Sequence, residues 1–265
     1  MSDIATKLTT IAENQQKVYD AGYAKGQAEG GDTEEAYQQG VTDGKQAYWD
    51  IIWDGIQLGG EREDYVKAFH KYWNADNFKP KYDMTPTSGT LMFDRFGGQA
   101  NTDAPAVDLA ELLEQAGVKL DTSKMTNFAN IFYYSSVSRV PEISVVGSTT
   151  KLTGMFALCR KLYKIDKLIL KENGEDEFNS TFTQAVALTD IVIEGVIGKN
   201  GLDLSHSTLL SKASIISIVN ALSATTSGLS IILSRTAVTN AFGSTTADEW
   251  TALIATKSKW TISLV

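Results

Sequence analysis

Short runs of alternating apolar and polar residues recur along the second half of the chain. They are GVKLDTS around Leu120, PEISVVG around Ile143, DKLILKE around Leu168 and DIVIEG around Ile191. The steps between these four positions are 23, 25 and 23 residues. Self-similarity at about 20–29 residues is typical of leucine-rich repeats, in which each repeat adds one strand to a parallel sheet. The pattern therefore predicts a solenoid over residues 106–265.

A phenylalanine segment lies between successive runs and strengthens this prediction. The aligned apolar positions are Phe132, Val137, Val140 and Ile143, then Phe156, Leu162, Ile165 and Leu168, then Phe182, Leu188, Ile191 and Ile193. Neither the strand nor the phenylalanine segment can bury its apolar side alone. We therefore expect neighbouring units to stack around a shared core.

The spacing loosens after Ile193, and other elements follow. GLDLS and GLSIILS predict two more strands, with an amphipathic helix over Ser211–Leu222 between them. The end of the chain predicts a helix that begins near Asp248 and Glu249, followed by a strand from Trp260. We interpret this helix and strand as a cap over the open end of the core.

The first 58 residues have a different pattern, with two short predicted helices in which glycines recur every fourth residue. The glycines that define these stripes are Gly22, Gly26, Gly40 and Gly44. Small residues at this spacing let two helix backbones approach closely, so we interpret residues 1–58 as a helical attachment or oligomerisation leader. The contact lies either within one chain or between copies. The alternative is a loosely helical segment in which the glycines only lower helicity.

Residues 59–105 separate these two regions. Aromatic residues are dense between positions 48 and 82, and three of the four prolines follow, at Pro80, Pro86 and Pro105. We interpret residues 59–105 as an aromatic-rich junction and a Pro/Gly loop. The aromatic side chains form either the core of a small folded junction, which we favour, or an interaction hot spot.

Charge and cysteine content narrow the classes of function. The net charge of −8 argues against nucleic acid or an anionic membrane as partner. Residues 1–60 hold ten acidic residues and four lysines, so most of the acidic surplus lies in the leader. Cys159 is the only cysteine, which excludes an internal disulfide. The sequence begins without the pattern of a secretory signal, and no apolar run approaches the roughly 20 residues that span a bilayer.

The sequence offers little for catalysis. His70 and His206 are the only histidines, and no metal-binding motif is present. Cys159 falls at a core-like repeat position, so we expect a packed thiol rather than a nucleophile. These features predict a protein that is not an enzyme and that needs no cofactor or metal. An enzyme with a hydrolytic pocket built from the repeats is a weak third possibility.

A solenoid usually binds partners through the outward side chains of its strands. The candidate ligand-contact residues on this face are Lys119, Asp121, Ser144, Lys167, Lys171, Glu194 and Asp203. The alternative for each is an ordinary solvated side chain. The adjacent Tyr133 and Tyr134 are further candidates, because tyrosine suits sugar and protein contacts. One of the two is alternatively a core residue.

Two resemblances bear on the whole chain. MFALCRKLYKIDKLIL and TFTQAVALTDIVIEG resemble the strand-and-phenylalanine units of the BspA-like leucine-rich-repeat family. The chain is also similar to a group of bacteriophage and prophage virion proteins of gut bacteria. The matching segments are WDIIW (Trp49–Trp53), YVKAF (Tyr65–Phe69), Trp73, FKPKYD (Phe78–Asp83) and the stretch Leu210–Val265.

The second resemblance implies a non-enzymatic virion component of the tail-fibre, baseplate or capsid-fibre type. We expect the leader to attach to other virion proteins or to copies of the chain, giving a homo-oligomer. The repeat region would then bind a glycan or protein of the bacterial surface. Such a protein is made in the host cytoplasm and reaches the virion without a signal peptide. The alternative is a bacterial cell-surface leucine-rich-repeat adhesin.

Overall fold

The computed structural model describes residues 78, 83–86, 92–100, 103–147 and 152–265. All of them belong to one compact unit, Val66–Val265. The glycine stripes at Gly22, Gly26, Gly40 and Gly44, the leader over residues 1–58 and most of the junction lie outside the described residues.

The described part of the chain is mixed α/β, with two parallel sheets whose strands follow one another in sequence order. The four-stranded sheet consists of β1 (Val107–Asp108), β2 (Val137–Ser144), β3 (Lys164–Ile169) and β4 (Asp190–Glu194). The three-stranded sheet consists of β5 (Asp203–Leu204), β6 (Leu229–Leu233) and β7 (Trp260–Leu264). The helices are α1 (Leu109–Ala116), α2 (Lys212–Ala221), α3 (Arg235–Phe242) and α4 (Asp248–Ala255). The predicted class, mixed α and β with a parallel sheet, is confirmed at this level.

The predicted alignment of apolar positions is confirmed by the strand register. Val140 pairs with Ile165 and Ile165 with Ile191, and all three side chains are buried. A second column runs through Ile143, Leu168 and Ile193. Residues at equal heights on neighbouring parallel strands therefore point into one continuous core.

The phenylalanines form a stacked column on the other side of this core. The ring centroids of Phe132 and Phe156 are 5.4 Å apart, and those of Phe156 and Phe182 are 5.5 Å apart. Phe93 extends the column by one ring, at 5.2 Å from Phe132. The sequence prediction missed Phe93, although it stands three residues before buried Phe96 as Phe132 stands before buried Ser135.

The phenylalanine turns share an unusual backbone as well as a side chain. Residues in the left-handed region recur two positions after each phenylalanine, at Arg95, Tyr134, Leu158 and Gln184. They also recur two positions before it, at Asn130, Gly154 and Ser180. A left-handed residue other than glycine costs about 1–2 kcal/mol. Its recurrence at fixed positions shows that each turn is bent in the same way to stack on its neighbour.

The predicted strand around Leu120 is wrong. Leu120 forms only an isolated parallel bridge with Met84, and the strand beside β2 is β1, thirteen residues earlier. The chain leaves β1 directly into α1, where the Asp108 carboxylate accepts a hydrogen bond from Glu111 N–H and caps the helix. A turn closes just after Leu120, since Asp121 Oδ1 accepts from Ser123 N–H. The extended stretch at Leu120 is therefore limited to this single bridge.

Helix α2 lies where the sequence predicted a helix. It also packs against β4 and ends the first sheet there. Ser214 Oγ accepts a hydrogen bond from Ile191 N–H at 2.9 Å and donates one to the Thr189 carbonyl at 3.0 Å. Ser217 Oγ accepts from Ile193 N–H at 2.8 Å. Serine side chains thus replace the backbone groups of a fifth strand beside β4, so the first sheet ends at this helix.

The later strands are present as predicted, but they form a second sheet instead of continuing the single parallel sheet that the sequence predicted. GLDLS contains β5 and GLSIILS contains β6, and both predicted terminal elements are present as α4 and β7. Helix α3, between β6 and α4, was not predicted. Trp250 of α4 is buried and lies 5.4 Å from the ring of Phe242 at the end of α3, so these two helices pack together.

Candidate ligand-binding surfaces

The outward side of the four-stranded sheet carries a network of opposite charges. The Arg139 guanidinium donates two hydrogen bonds to the Asp166 carboxylate, at 2.8 and 2.7 Å, and lies 3.3 Å from Glu114 of α1. Lys164 lies 3.3 Å from the same Asp166. Burial alone would raise the pKa of Asp166, but Arg139 and Lys164 outweigh it and hold this pKa below its ordinary value.

A second group of charges follows along the same face. Lys167 Nζ lies 3.3 Å from Glu194 on one neighbouring strand and 3.4 Å from Glu142 on the other. These two carboxylates raise the pKa of Lys167. Val192 is 51% exposed on this sheet. The sheet thus brings together two predicted contact residues, Lys167 and Glu194. They form an ion pair with each other at the surface.

Three other predicted residues, Lys119, Asp121 and Ser144, line a cleft of about 410 Å³ between α1 and β2. Lys119 is exposed there, with its backbone N–H bonded to Asp83 Oδ1. Ser144 N–H donates to the hydroxyl of Thr122, which in turn donates to the Ser144 carbonyl. Glu114 and Glu142 also line this cleft, so its charged groups belong partly to the network on the sheet.

Lys171 lies in the turn after β3 and contacts Asp176 there. Its backbone N–H donates to Asp176 Oδ2 at 2.8 Å, and its ammonium lies 4.0 Å from Asp176 Oδ1. The Asp176 side chain is fully buried, and that of Lys171 is only 15% exposed. A buried carboxylate is stable only when hydrogen bonds or an opposite charge compensate it. We therefore conclude that Lys171 stabilises the buried carboxylate of Asp176.

Asp203, the last predicted contact residue, lines a separate polar cleft of about 290 Å³. Asn179, Ser180 and Thr183 of the Phe182 turn lie on one side, and Asp203 of β5 and Ser230 of β6 lie on the other. No pattern in the sequence groups these residues. Strand β5 and the Phe182 turn are separated by more than a dozen residues, and only the fold brings them together.

The tyrosine pair belongs to the Phe132 turn. Tyr133 and Tyr134 are both half-buried, and their ring centroids lie 6.1 Å apart at an angle of 49°. Tyr134 is one of the left-handed residues, with φ at 58°. Both rings keep some exposed surface, so their role in contacting a ligand stays a prediction.

Cys159 is a packed thiol, as expected. Its side chain is fully buried, Sγ donates to the Phe132 carbonyl at 2.8 Å, and burial raises the pKa of the thiol to about 12. His206 is exposed next to Ser205, while His70 lies outside the described residues. Among the residues that the structure describes, no three His, Cys, Asp or Glu side chains are grouped to hold a metal ion.

In the part of the chain that the structure describes, these features define a mixed α/β fold with two parallel sheets, a charged sheet face and two open clefts. Within the described ranges, no helix is long and apolar enough to cross a membrane. Searches of protein-family models, curated proteins and solved structures found no match to the chain.

Proposed function

We propose that this chain is a non-enzymatic structural and adhesion protein of a bacteriophage virion. In this proposal residues 106–265 are a leucine-rich-repeat solenoid that displays a surface for binding a ligand on bacteria. The observation that carries it is the repetition of one unit: a strand, a buried phenylalanine and a left-handed residue two positions after it recur through Phe93, Phe132, Phe156 and Phe182.

The repeated unit supports binding rather than catalysis on physical grounds. Stacked parallel strands hold their outward side chains in fixed rows, so a partner meets a stiff, preorganised surface. The described surface offers polar and charged side chains on the strands and two open clefts. The buried thiol of Cys159 has a raised pKa and is held by backbone groups, which is the opposite of an activated nucleophile.

Attachment is assigned to the N-terminal leader on its sequence pattern alone. The glycine stripes through Gly22, Gly26, Gly40 and Gly44 suit a close helix–helix contact, either within the chain or between copies. We propose that this contact forms a homo-oligomer and joins it to other virion proteins. Gly22→Leu and Gly40→Leu would then lower the oligomeric state measured by light scattering. A full-length chain that is already monomeric would contradict this part.

The location in a virion has a direct test. Mass spectrometry of phage particles, purified from a bacterial culture that carries this coding sequence, should detect the protein in a fixed ratio to the capsid protein. Cells that produce no particles serve as the control. Protein that is absent from the particles but present on the outer surface of the cells would instead favour the alternative, a bacterial cell-surface adhesin.

A further inference from the structure

The polar cleft between the Phe182 turn and the second sheet has the features of a small built site. Five of its lining residues have hydrogen-bonding side chains: Asn179, Ser180, Thr183, Asp203 and Ser230. Buried Leu202 and half-buried Ile232 add a small apolar patch. Ligand sites commonly combine a concave shape with a few convergent polar groups.

Local hydrogen bonds hold both walls of this cleft. On one wall, the Asn179 carbonyl accepts from Gly154 N–H at 2.9 Å, and Ser180 is one of the repeated left-handed residues. On the other wall, Asp203 Oδ1 accepts from Ser205 N–H at 2.9 Å, which orients the carboxylate. The N–H of Ser230 is held at 2.7 Å by Asn200 Oδ1. The backbone of both walls and the Asp203 carboxylate are therefore held by the protein itself.

Gly201 leaves open space in the cleft beside Asn179. It lines the cleft with φ at +102°, a conformation that favours glycine. A Cβ at this position would lie 3.5 Å from Asn179 Oδ1, so a larger side chain would occupy the space beside the amide. The absence of a side chain here leaves the Asn179 amide accessible from the Asp203 side.

The chemistry of the lining selects one class of ligand. A divalent cation such as Ca²⁺ takes about six to eight oxygen ligands, usually with several carboxylates, and Asp203 is the one carboxylate in the lining. The lining contains no Lys or Arg side chain to pair with a phosphate. Amide, hydroxyl and carboxylate groups around a small apolar patch instead match the hydroxyls and C–H surface of a sugar ring.

We propose that this cleft binds a neutral saccharide, with the Asp203 carboxylate accepting from sugar hydroxyls, Asn179 and Ser230 completing the hydrogen bonds, and Ile232 contacting the ring. This deepens the proposed function, on which it rests for the source of the sugar, a bacterial envelope glycan.

The test measures binding of the full chain to an array of neutral and anionic oligosaccharides, followed by titration of any neutral sugar that binds. Asp203→Asn should raise the Kd about tenfold, because the sugar hydroxyl would then donate to a neutral amide oxygen instead of a charged carboxylate. Thr183→Trp should abolish binding by filling the cleft. Glu172→Gln, a matched loss of charge at an exposed position outside the lining of both clefts, should leave the Kd unchanged.

The possible results distinguish failure of the cleft assignment from failure of the proposed function. Sugar binding that Asp203→Asn and Thr183→Trp do not change would overturn the cleft assignment. Binding to anionic sugars alone, or binding to bacterial cells with no neutral sugar bound, would also overturn it and leave adhesion standing. In a third outcome, neutral sugars bind in the cleft, but the protein is absent from virions and binds no bacterial cells. This result would support the cleft assignment and count against the proposed function.

Discussion

At the scale of single residues, the chain adopts unfavourable backbone conformations where the repeated turn requires them. Leu158 and Gln184 adopt left-handed backbone conformations without being glycine. Gly154 occupies the equivalent of Asn130 and Ser180 because a Cβ there would lie 2.1 Å from Asn130 Oδ1. The geometry of the turn therefore decides these positions against the local preference of the residue.

The first prediction concerns the thiol of Cys159. Because its side chain is fully buried and its pKa is raised to about 12, we expect no reaction with a thiol reagent at pH 8 in the folded protein. The same thiol should react fully in denaturant, which gives the matched control. Rapid modification of the folded protein would show that the Phe132 turn opens easily or that the thiol is not packed.

The second prediction concerns the pH dependence of stability through Asp166. Its pKa is lowered in the folded state, so its contribution is fully present above the ordinary aspartate value of about 4. That contribution is lost as the pH falls through the lower folded value. In Asp166→Asn, the free energy of unfolding should therefore fall less than in the wild type as the pH is lowered below about 4.

The measurement is urea unfolding at a series of pH values, with Arg139→Met as the companion variant. Removing Arg139 takes away the charge that holds the Asp166 pKa down, so this variant should also show a smaller loss in acid. Unfolding curves of Asp166→Asn that shift in parallel with the wild type would contradict the assignment.

At the scale of elements, the sequence predicted the strands that have a clear period. The strands around Ile143, Leu168 and Ile191 carry aligned apolar residues at matching heights, and all three are present. Strand β1 has only two residues and shows no alternation, so periodicity cannot find it. Helix α1 had signals that were overlooked, with a capping Asp108 before it and Gly117 in the left-handed conformation after it.

The candidate site was predictable only in part. Asp203 was identified because outward positions on strands can be read from alternation. Asn179, Ser180 and Thr183 were not, because their approach to Asp203 depends on how the Phe182 turn stacks beside the second sheet. Lys171 was assigned to ligand contact, but its role in compensating buried Asp176 depends on a turn that alternation does not describe.

The third prediction belongs to the contact of α2 with β4. Ser214→Ala would leave the buried N–H of Ile191 without its acceptor, which costs about 1–3 kcal/mol. We expect the free energy of unfolding, measured by chemical denaturation, to fall by that amount. Ser227→Ala, at an exposed position, is the control and should change it by less than about 0.5 kcal/mol. Equal small effects of both substitutions would show that the hydroxyl of Ser214 is dispensable.

At the scale of the whole molecule, the phenylalanine column joins successive units into one core. Phe156 stacks between Phe132 and Phe182, so its loss removes contacts on both sides. Helix α2 bonds to β4, and its Lys212 forms an ion pair at 2.6 Å with Glu249 of α4. Contacts therefore run from the first sheet through α2 to the helices beside the second sheet.

The fourth prediction tests this continuity. Phe156→Ala should lower the free energy of unfolding by about 3–5 kcal/mol. Trp250 and Trp260 are buried near the second sheet, and their fluorescence is read in a background in which Trp49, Trp53 and Trp73 are replaced by phenylalanine. Far-UV circular dichroism and this fluorescence should still report one shared transition. Phe156→Leu is the milder comparison and should lose less. A circular dichroism transition that moves while the fluorescence transition stays would contradict the coupling.

The serine pair on α2 has a consequence for how such a protein changes length. A new strand inserted between β2 and β4 would find like neighbours on both sides and would lengthen the array without new chemistry. A strand added from another molecule against β4 would find the amides of Ile191 and Ile193 already taken by Ser214 and Ser217. The border of the first sheet at β4 is therefore closed to an added strand.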